Sequence, residues 1–347
     1  MQTLKIVLLI FSFSSILFAQ NGNSLEESLA KITGDASKNY VAPVSSAFGA
    51  NLNTGWVHGA PSAKLFGVDI EIGFVGMATF FSDENKTFSS SGSFRFDSLQ
   101  AESIIPANIL GAQRNAIRNE IISKDFNVSI SGPTIVGSNK DSVKVVFPGA
   151  VIQGQTLGQK TVVLPVTGYL EELPALPLAV PQLTVGTVYG TSVSLRYLPE
   201  IQINSDLGKF KYFGFGLQHN PGAWLPVPLP VNVSAGFFTQ TMEVGTIFKS
   251  SSTMFGLFAS KKFGPGALSI EPYGGFAFES SKIDVSYDVV FDSPAGPQPS
   301  KISYSLDGEN SARFILGATL KLGLFGISVD YNMAKYSSVS GSFNIKI

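Results

Sequence analysis

The sequence predicts an all-β protein: a transmembrane antiparallel β-barrel of about 14 strands, within a range of roughly 12 to 16, and a short N-terminal helical plug segment. Three observations point there. First, apolar and small or polar residues alternate with period two, as at Phe66, Val68, Ile70, Ile72 and Phe74 against Gly67, Asp69, Glu71 and Gly73. The pattern returns at Phe325, Ile327, Val329, Tyr331 and Met333, and again at Val339, Phe343, Ile345 and Ile347. Second, the chain opens like an exported protein. Third, only 14% of residues are charged, while 28 are Phe and 35 are Gly, which suits strands facing lipid on one side and a lumen on the other.

Residues 1–19 read as a signal peptide: Lys5, then an apolar run from Ile6 to Phe18, then Ala19, after which cleavage is expected. That run is shorter than the roughly 20 residues a spanning helix needs, and no later segment supplies them. The chain has no cysteine, which excludes disulfides, thiolate metal sites and a cysteine nucleophile. A closed barrel is stable without disulfides because every backbone donor and acceptor pairs between strands. A net charge of −1 leaves no basic footprint, so nucleic acid is not an expected partner. A secreted β-sandwich shows the same alternation with its apolar face turned inward, and the sequence leaves that alternative open.

Residues 20–63 read as the plug segment. Ser24 and Glu27 form a capping box ahead of Leu25, Leu29 and Ile32, and Gly34 is a helix stop. A weaker apolar stretch surrounds Pro43, Phe48 and Leu52 before Asn53, Thr54, Gly55 and Trp56. The same segment could instead be a tail helix packed on the barrel mouth.

The barrel is expected over 64–347. Strands are predicted at 66–81 and 87–96. Between 97 and 181 the pattern deteriorates into an irregular insertion, with an amphipathic helix from about Pro106 to Ser123, short strands, and the proline cluster Pro174, Pro177 and Pro181. From Leu183 the rhythm holds to the end, with segments near 184–198, 207–219, 230–240, 243–249, 252–263, 266–279, 281–291, 300–306, 311–322, 325–334 and 337–347. Short Gly-rich links read as tight turns and longer polar links as exposed loops.

Few residues carry chemistry. The two histidines are His58 and His219. His219, at a strand end before Asn220, Pro221 and Gly222, could serve a membrane-embedded hydrolase if a serine lay beside it. A histidine packed at the barrel rim is the blander reading, and no enzyme is expected. His58, two residues after Trp56, reads as an anchor of the N-terminal segment to the lumen wall. Asp69 with Glu71 and Asp284 with Asp288 put paired carboxylates on one strand face, where a solvated wall with basic partners such as Lys282, Arg196 or Arg313 is expected rather than acid-base work. No zinc or calcium pattern occurs, and neither a metal nor a cofactor is expected. Gly214 with Gly216 and Gly274 with Gly275 read as bends in curved strands. Trp224, Tyr212, Phe213, Phe215, Phe237 and Phe238 read as an interfacial aromatic girdle, or as the lining of a hydrophobic path.

Five stretches, in order, resemble an uncharacterised family of Bacteroidetes-type outer-membrane β-barrels, a domain of unknown function. They are Asn53-Thr-Gly-Trp56, Leu195-Arg-Tyr-Leu-Pro199, Gly216-Leu-Gln-His219 with Trp224-Leu-Pro226, Ala259-Ser-Lys-Lys-Phe-Gly264 and Pro272-Tyr-Gly-Gly275. More distantly, a short helix ahead of a barrel is similar to the long-chain fatty-acid outer-membrane transporters, although their asparagine-proline motif is not matched. That resemblance implies a lumen plug and sideways exit of hydrophobic ligands through a kinked wall strand, for which the stretch between Pro221 and Pro230 is the candidate. The expectation is therefore a passive outer-membrane channel or transporter for small hydrophobic molecules. Trp56, His58, His219 and Trp224 are its ligand-path or plug candidates. Its partners are outer-membrane lipid, the barrel-assembly machinery, which favours the alternation at Phe343, Ile345 and Ile347, and a small hydrophobic ligand. The alternative is a structural or surface-binding barrel whose insertion contacts a partner.

Overall fold

The computed structural model describes residues 35–347 apart from 171–172, 205–207, 227–228, 266 and 292–295. The predicted signal peptide and the helix expected after Ser24 lie outside the described residues. In chain order the elements are α1 (Asp35–Leu52), β1 (Asp69–Phe80), β2 (Thr87–Phe94), α2 (Ser98–Ile104), α3 (Gly111–Ser123), β3 (Phe126–Pro133), β4 (Lys144–Phe147), β5 (Ala150–Ile152), β6 (Gln155–Leu157) and β7 (Lys160–Val163). There follow β8 (Ala175–Val188), β9 (Thr191–Asn204), β10 (Gly208–His219), β11 (Asn232–Val244), β12 (Phe248–Ser260), β13 (Leu268–Phe291), β14 (Gln298–Asp307), β15 (Ala312–Leu322), β16 (Phe325–Met333) and β17 (Ser338–Lys346).

Ten of these strands close into an antiparallel barrel, in the order β1, β8 to β13, β15, β16, β17. The ring shuts where β1 meets β17, from Glu71↔Lys346 to Thr79↔Ser338. The wall is smaller than the strand count from sequence for identifiable reasons. The segments 266–279 and 281–291 are one 24-residue strand, β13. Its first half pairs with β15, and its second half rises above the ring to pair with β14. Strand β2 lies outside the wall, pairing with β3. In the other direction, the predicted segment 184–198 hides a hairpin turn at Tyr189 and Gly190. Both have positive φ (51° and 67°), as a two-residue type I′ turn demands, but tyrosine at its first position conceals the signal.

The two faces fall as a membrane barrel requires. Ile72, Phe74, Phe325, Ile327, Val329 and Phe343 point outward and are exposed, whereas Ser328, Asp330, Asn332, Ser338, Ser340, Ser342 and Asn344 are buried facing the lumen. A sandwich would bury the first set, so this alternation belongs to a barrel set in an apolar medium.

Between β1 and β8, residues 81–174 leave the wall and form a cap over one end of the barrel. Its sheet runs β2-β3-β4-β7, flanked by α2 and α3. Its core includes Phe94, Phe96, Phe126 and Phe147, whose rings meet at centroid distances of 5.0 to 5.9 Å. The excursion ends at Ala175, earlier than the proline cluster suggests, because Pro177 and Pro181 are part of β8. The backbone hydrogen bonds explain how. Phe81 N–H donates to the Pro174 carbonyl (3.0 Å) and Phe80 N–H to that of Ser337 (2.9 Å), so even-numbered β8 residues bond to β1 and odd-numbered ones face β9. Pairing between β8 and β9 runs only from Gln182↔Arg196 to Val188↔Thr191. Above that point β8 has a partner on one side alone, where a missing N–H costs nothing. Pro199 lies in the matching stretch of β9.

Helix α1 fills the cap half of the lumen, packing against β1, β8, β12 and β13 of the wall and β2 of the cap. Its Tyr40, Val41, Val44, Ala47 and Leu52 belong to one apolar cluster that includes cap residues such as Ile135 and Phe147 and wall residues such as Met77, Val180, Phe248 and Val285. Cap, helix and upper wall therefore share a single core.

Candidate functional site in the barrel lumen

Beyond α1 the chain continues down the lumen as residues 53–61 and emerges at the end opposite the cap. This stretch is tied to the wall by polar contacts and by an apolar cluster in which Trp56 and Val57 join Phe238, Met254, Phe258, Tyr273, Ala277 and Ile315. Arg196 of β9 and Arg313 of β15, both buried, are the principal polar ties. Arg196 donates to the carbonyls of Thr54 (3.0 Å) and Gly55 (2.5 Å) and is oriented by Gln182 (2.8 Å). Arg313 donates to the carbonyl of Ala50 (3.0 Å), to Thr54 Oγ1 (2.8 Å) and to Glu279 (2.5 Å). Glu279 also accepts from Asn53 Nδ2 (2.7 Å), and Gln240 donates to the Asn53 side-chain oxygen. Burial of a charge is tolerated only with such partners. Gly55 has φ +69°, and a Cβ there would meet Val75 and Ser340 within 3 Å, so only glycine allows the chain to pass this point.

Trp56 lies 3.9 Å beneath the Arg196 guanidinium, donates its indole N–H to the Leu52 carbonyl (2.9 Å) and packs on Phe238. The wall makes room for it with Gly214 and Gly216, read from sequence only as bends. A Cβ on Gly214 would lie 2.9 Å from the indole ring. Next, His58 Nδ1 lies 3.1 Å from Glu71 and its carbonyl accepts from Thr319 Oγ1 (2.7 Å). The segment leaves through Ala60, whose N–H donates to Ser260 Oγ, and Pro61, whose carbonyl accepts from Asn220 Nδ2.

Below Trp56 and His58 opens a polar vestibule of about 540 Å³, lined among others by Gln182, Thr184, Ser194, Gln218 and Asn344. Its carboxylates are partnered: Asp69 by Lys346 (3.0 Å), Glu271 by Lys321 (2.8 Å) and Glu71 by His58. The pair Asp69 and Glu71 thus forms part of a salt-bridged wall.

His219 and Trp224 are not brought to this site. They lie at the barrel rim with Tyr189, which stacks on Trp224 at 5.0 Å and 7°. Trp224 Nε1–H donates to His219 Nε2 (3.1 Å), so His219 carries its proton on Nδ1 and donates to Thr191 Oγ1 (3.0 Å). With Trp224 61% exposed, the group has the makeup of an interfacial belt. The predicted girdle residues divide by parity: Phe213 and Phe237 point outward, Tyr212 and Phe238 inward. Arg196 and Arg313, named from sequence only as counter-ions, carry far more of the site than that. Their signal was an arginine on the inward-facing parity of a barrel strand.

A family profile described as "Family of unknown function (DUF6588)" matches residues 1–347. The chain belongs to the DUF6588 family. Among curated proteins nothing matches. Among solved structures, this DUF6588 chain is similar to the outer membrane protease OmpT from Escherichia coli, at 8% identity over 82% of this chain and 97% of that one, with a TM-score of 0.25. It is also similar to the transport unit of the autotransporter AIDA-I from Escherichia coli, at 8% identity over 89% and 98% and a TM-score of 0.25. A third is Ail, the attachment invasion locus protein of Yersinia pestis, at 14% identity over 45% and 93% and a TM-score of 0.21. These likenesses are remote, and the DUF6588 fold rests on its own strand pairing.

Proposed function

We propose that this is an outer-membrane β-barrel in which residues 35–61 act as a plug, and that it admits a small solute when residues 53–61 shift. The outward apolar band supports the membrane setting. The cap between β1 and β8 and the β13–β14 hairpin lie at one end. The other carries the two-residue turns Tyr189-Gly190 and Gly323-Leu324 beside longer links from β10 to β11 and from β12 to β13. The size of the cap supports an extracellular cap and a vestibule on the periplasmic side. The observation that carries the reading is the fastening of 53–61 by Arg196 and Arg313 through hydrogen bonds to its backbone and hydroxyl. Hydrogen bonds from a charged donor contribute about 1.5 to 3 kcal/mol each, and water in the adjoining vestibule can replace them, whereas the larger apolar core that fixes α1 has no such substitute. A plug attached in this way is stable where it joins the cap and displaceable where it meets the vestibule. The polar vestibule favours a polar solute over the hydrophobic one that the transporter resemblance implies. The apolar part of the lumen is already occupied by α1.

The test is osmotic swelling of liposomes carrying the purified protein, using small sugars and amino acids as probes. The wild type should pass them slowly, and the double variant Arg196→Met, Arg313→Met markedly faster. Equal impermeability of both, with each keeping a boiling-dependent mobility shift on a denaturing gel, overturns the transport reading. A surface-binding barrel would then be favoured by the cap, whose Leu99, Leu110 and Val151 are more than two-thirds exposed.

A further inference from the structure

At the cap end of the outward apolar band, one side of the barrel carries an ordered grid. On β11, β12 and β13, directly opposed residues of outward parity form four rows that step toward the cap. The first is Phe237, Phe255 and Phe278, all exposed. The second is Thr239, Thr253 and Ser280, and the third Thr241, Ser251 and Lys282. The fourth is Glu243, Lys249 and Asp284. Strand β10 adds Phe213 beside Thr241 and Lys211 beside Glu243. Diametrically across the ring, β17, β1 and β8 present apolar and small residues instead: Val339, Ala78 and Pro177 in one opposed row, Gly341, Gly76 and Ala179 in the next.

A membrane barrel meets lipid headgroups where its apolar band ends, so an occupant of this grid has its chains at the phenylalanines and its headgroup on the rows above. Strands lie about 4.8 Å apart and same-face residues about 7 Å apart along a strand, so the two hydroxyl-bearing rows cover about 10 by 7 Å, the scale of a sugar rather than of a lone phosphate. Their hydroxyls both donate and accept, as those of a sugar do. The ions above them are unevenly matched. Lys211 and Lys249 share the carboxylate of Glu243 (2.6 and 3.5 Å), Lys282 lies 3.8 Å from Asp284, and the neighbouring Lys209 is matched by Glu200 (2.5 Å). One positive charge is in excess, and exposed pairs of this kind hold their lysines only loosely. A flexible lysine stem can therefore bring its ammonium to a phosphate beside the hydroxyl rows.

We propose that this face of β10 to β13 is a binding site for one phosphorylated glycolipid, with acyl chains over Phe237, Phe255 and Phe278, sugar against the hydroxyl rows, and phosphate on Lys211, Lys249 and Lys282. The inference rests on the membrane setting proposed above and not on passage of any solute. Binding is measured in detergent without a permeation step, so the two readings fail separately.

The experiment is native mass spectrometry of the full chain in detergent, titrated with lipid A, dephosphorylated lipid A, phosphatidylglycerol and inorganic phosphate. The expected result is one lipid A per chain, held about tenfold more tightly than the dephosphorylated form or phosphatidylglycerol, as a few charge-assisted contacts would give. The triple variant Lys211→Gln, Lys249→Gln, Lys282→Gln should lose about that factor, and Thr241→Val with Ser251→Ala about threefold, both keeping the boiling-dependent gel shift. Lys140→Gln, Lys144→Gln, Lys160→Gln, on the cap, should bind as the wild type does. No lipid A adduct on the wild type overturns the site. Equal binding of phosphatidylglycerol overturns the sugar, and equal binding of dephosphorylated lipid A overturns the phosphate. Inorganic phosphate that saturates the chain and excludes lipid A overturns the lipid. Unaltered lipid A affinity in both grid variants, or equal loss in the cap variant, overturns the placement.

Discussion

The guanidinium carbon of Arg196 lies 3.9 Å from the centre of the Trp56 ring, while two of its nitrogens hold the carbonyls of Thr54 and Gly55. One wall residue thus grips the descending chain by its backbone and by its largest side chain. On the ring's other contacts, Gly214 and Gly216 leave the space in which the indole sits. Gly214→Val should therefore expel Trp56 from its nest, at about 1 to 3 kcal/mol for an overpacked site. A red-shifted, more quenchable Trp emission in the Trp224→Phe background would report this. Unchanged emission would mean that the glycines matter only for strand curvature.

The Arg313 and Glu279 side chains are fully buried and 2.5 Å apart. Arg313→Met alone strands the carboxylate and should cost about 3 to 5 kcal/mol, whereas Arg313→Met with Glu279→Met should cost much less. Thermal unfolding of the two variants and of Glu279→Met in detergent gives the coupling directly. Additive losses would show that the pair does not act as a unit.

Pairing between β8 and β9 stops at Gln182↔Arg196, leaving 197–204 joined to β10 alone. Peptides covering 197–204 should exchange amide hydrogens at least several-fold faster than those covering 191–196, which are bonded on both sides. Equal protection would mean that the seam is closed.

Because α1 shares one apolar core with the cap, deleting residues 35–52 should loosen the cap as well as open the lumen. Limited proteolysis should then cut within 81–174 of the deletion variant under conditions where the wild type resists. A resistant cap would establish it as an independently stable unit.

Much of the wall could be read from the chain because alternation is a local property. Phe325 to Met333 and Val339 to Ile347 show their two faces residue by residue. The hidden turn at Tyr189-Gly190 and the unbroken course of β13 could not, since each depends on backbone geometry set by neighbouring strands. Prolines at 177 and 181 read as irregular chain, and only the unpaired flank of β8 makes them compatible with a strand.

The sequence by itself determined that strands with one apolar and one polar face would dominate, and it singled out Trp56, His58, His219 and Trp224, with Arg196 and Arg313 only as counter-ions. Tertiary structure alone decided that the apolar faces turn outward, that ten strands close the ring, and that Arg196 and Arg313, 117 residues apart, converge on Thr54. The physical reason is that periodicity specifies a pair of faces without specifying which is buried. Ring closure and the path of the chain through the lumen arise from pairings between distant residues, which no local pattern encodes.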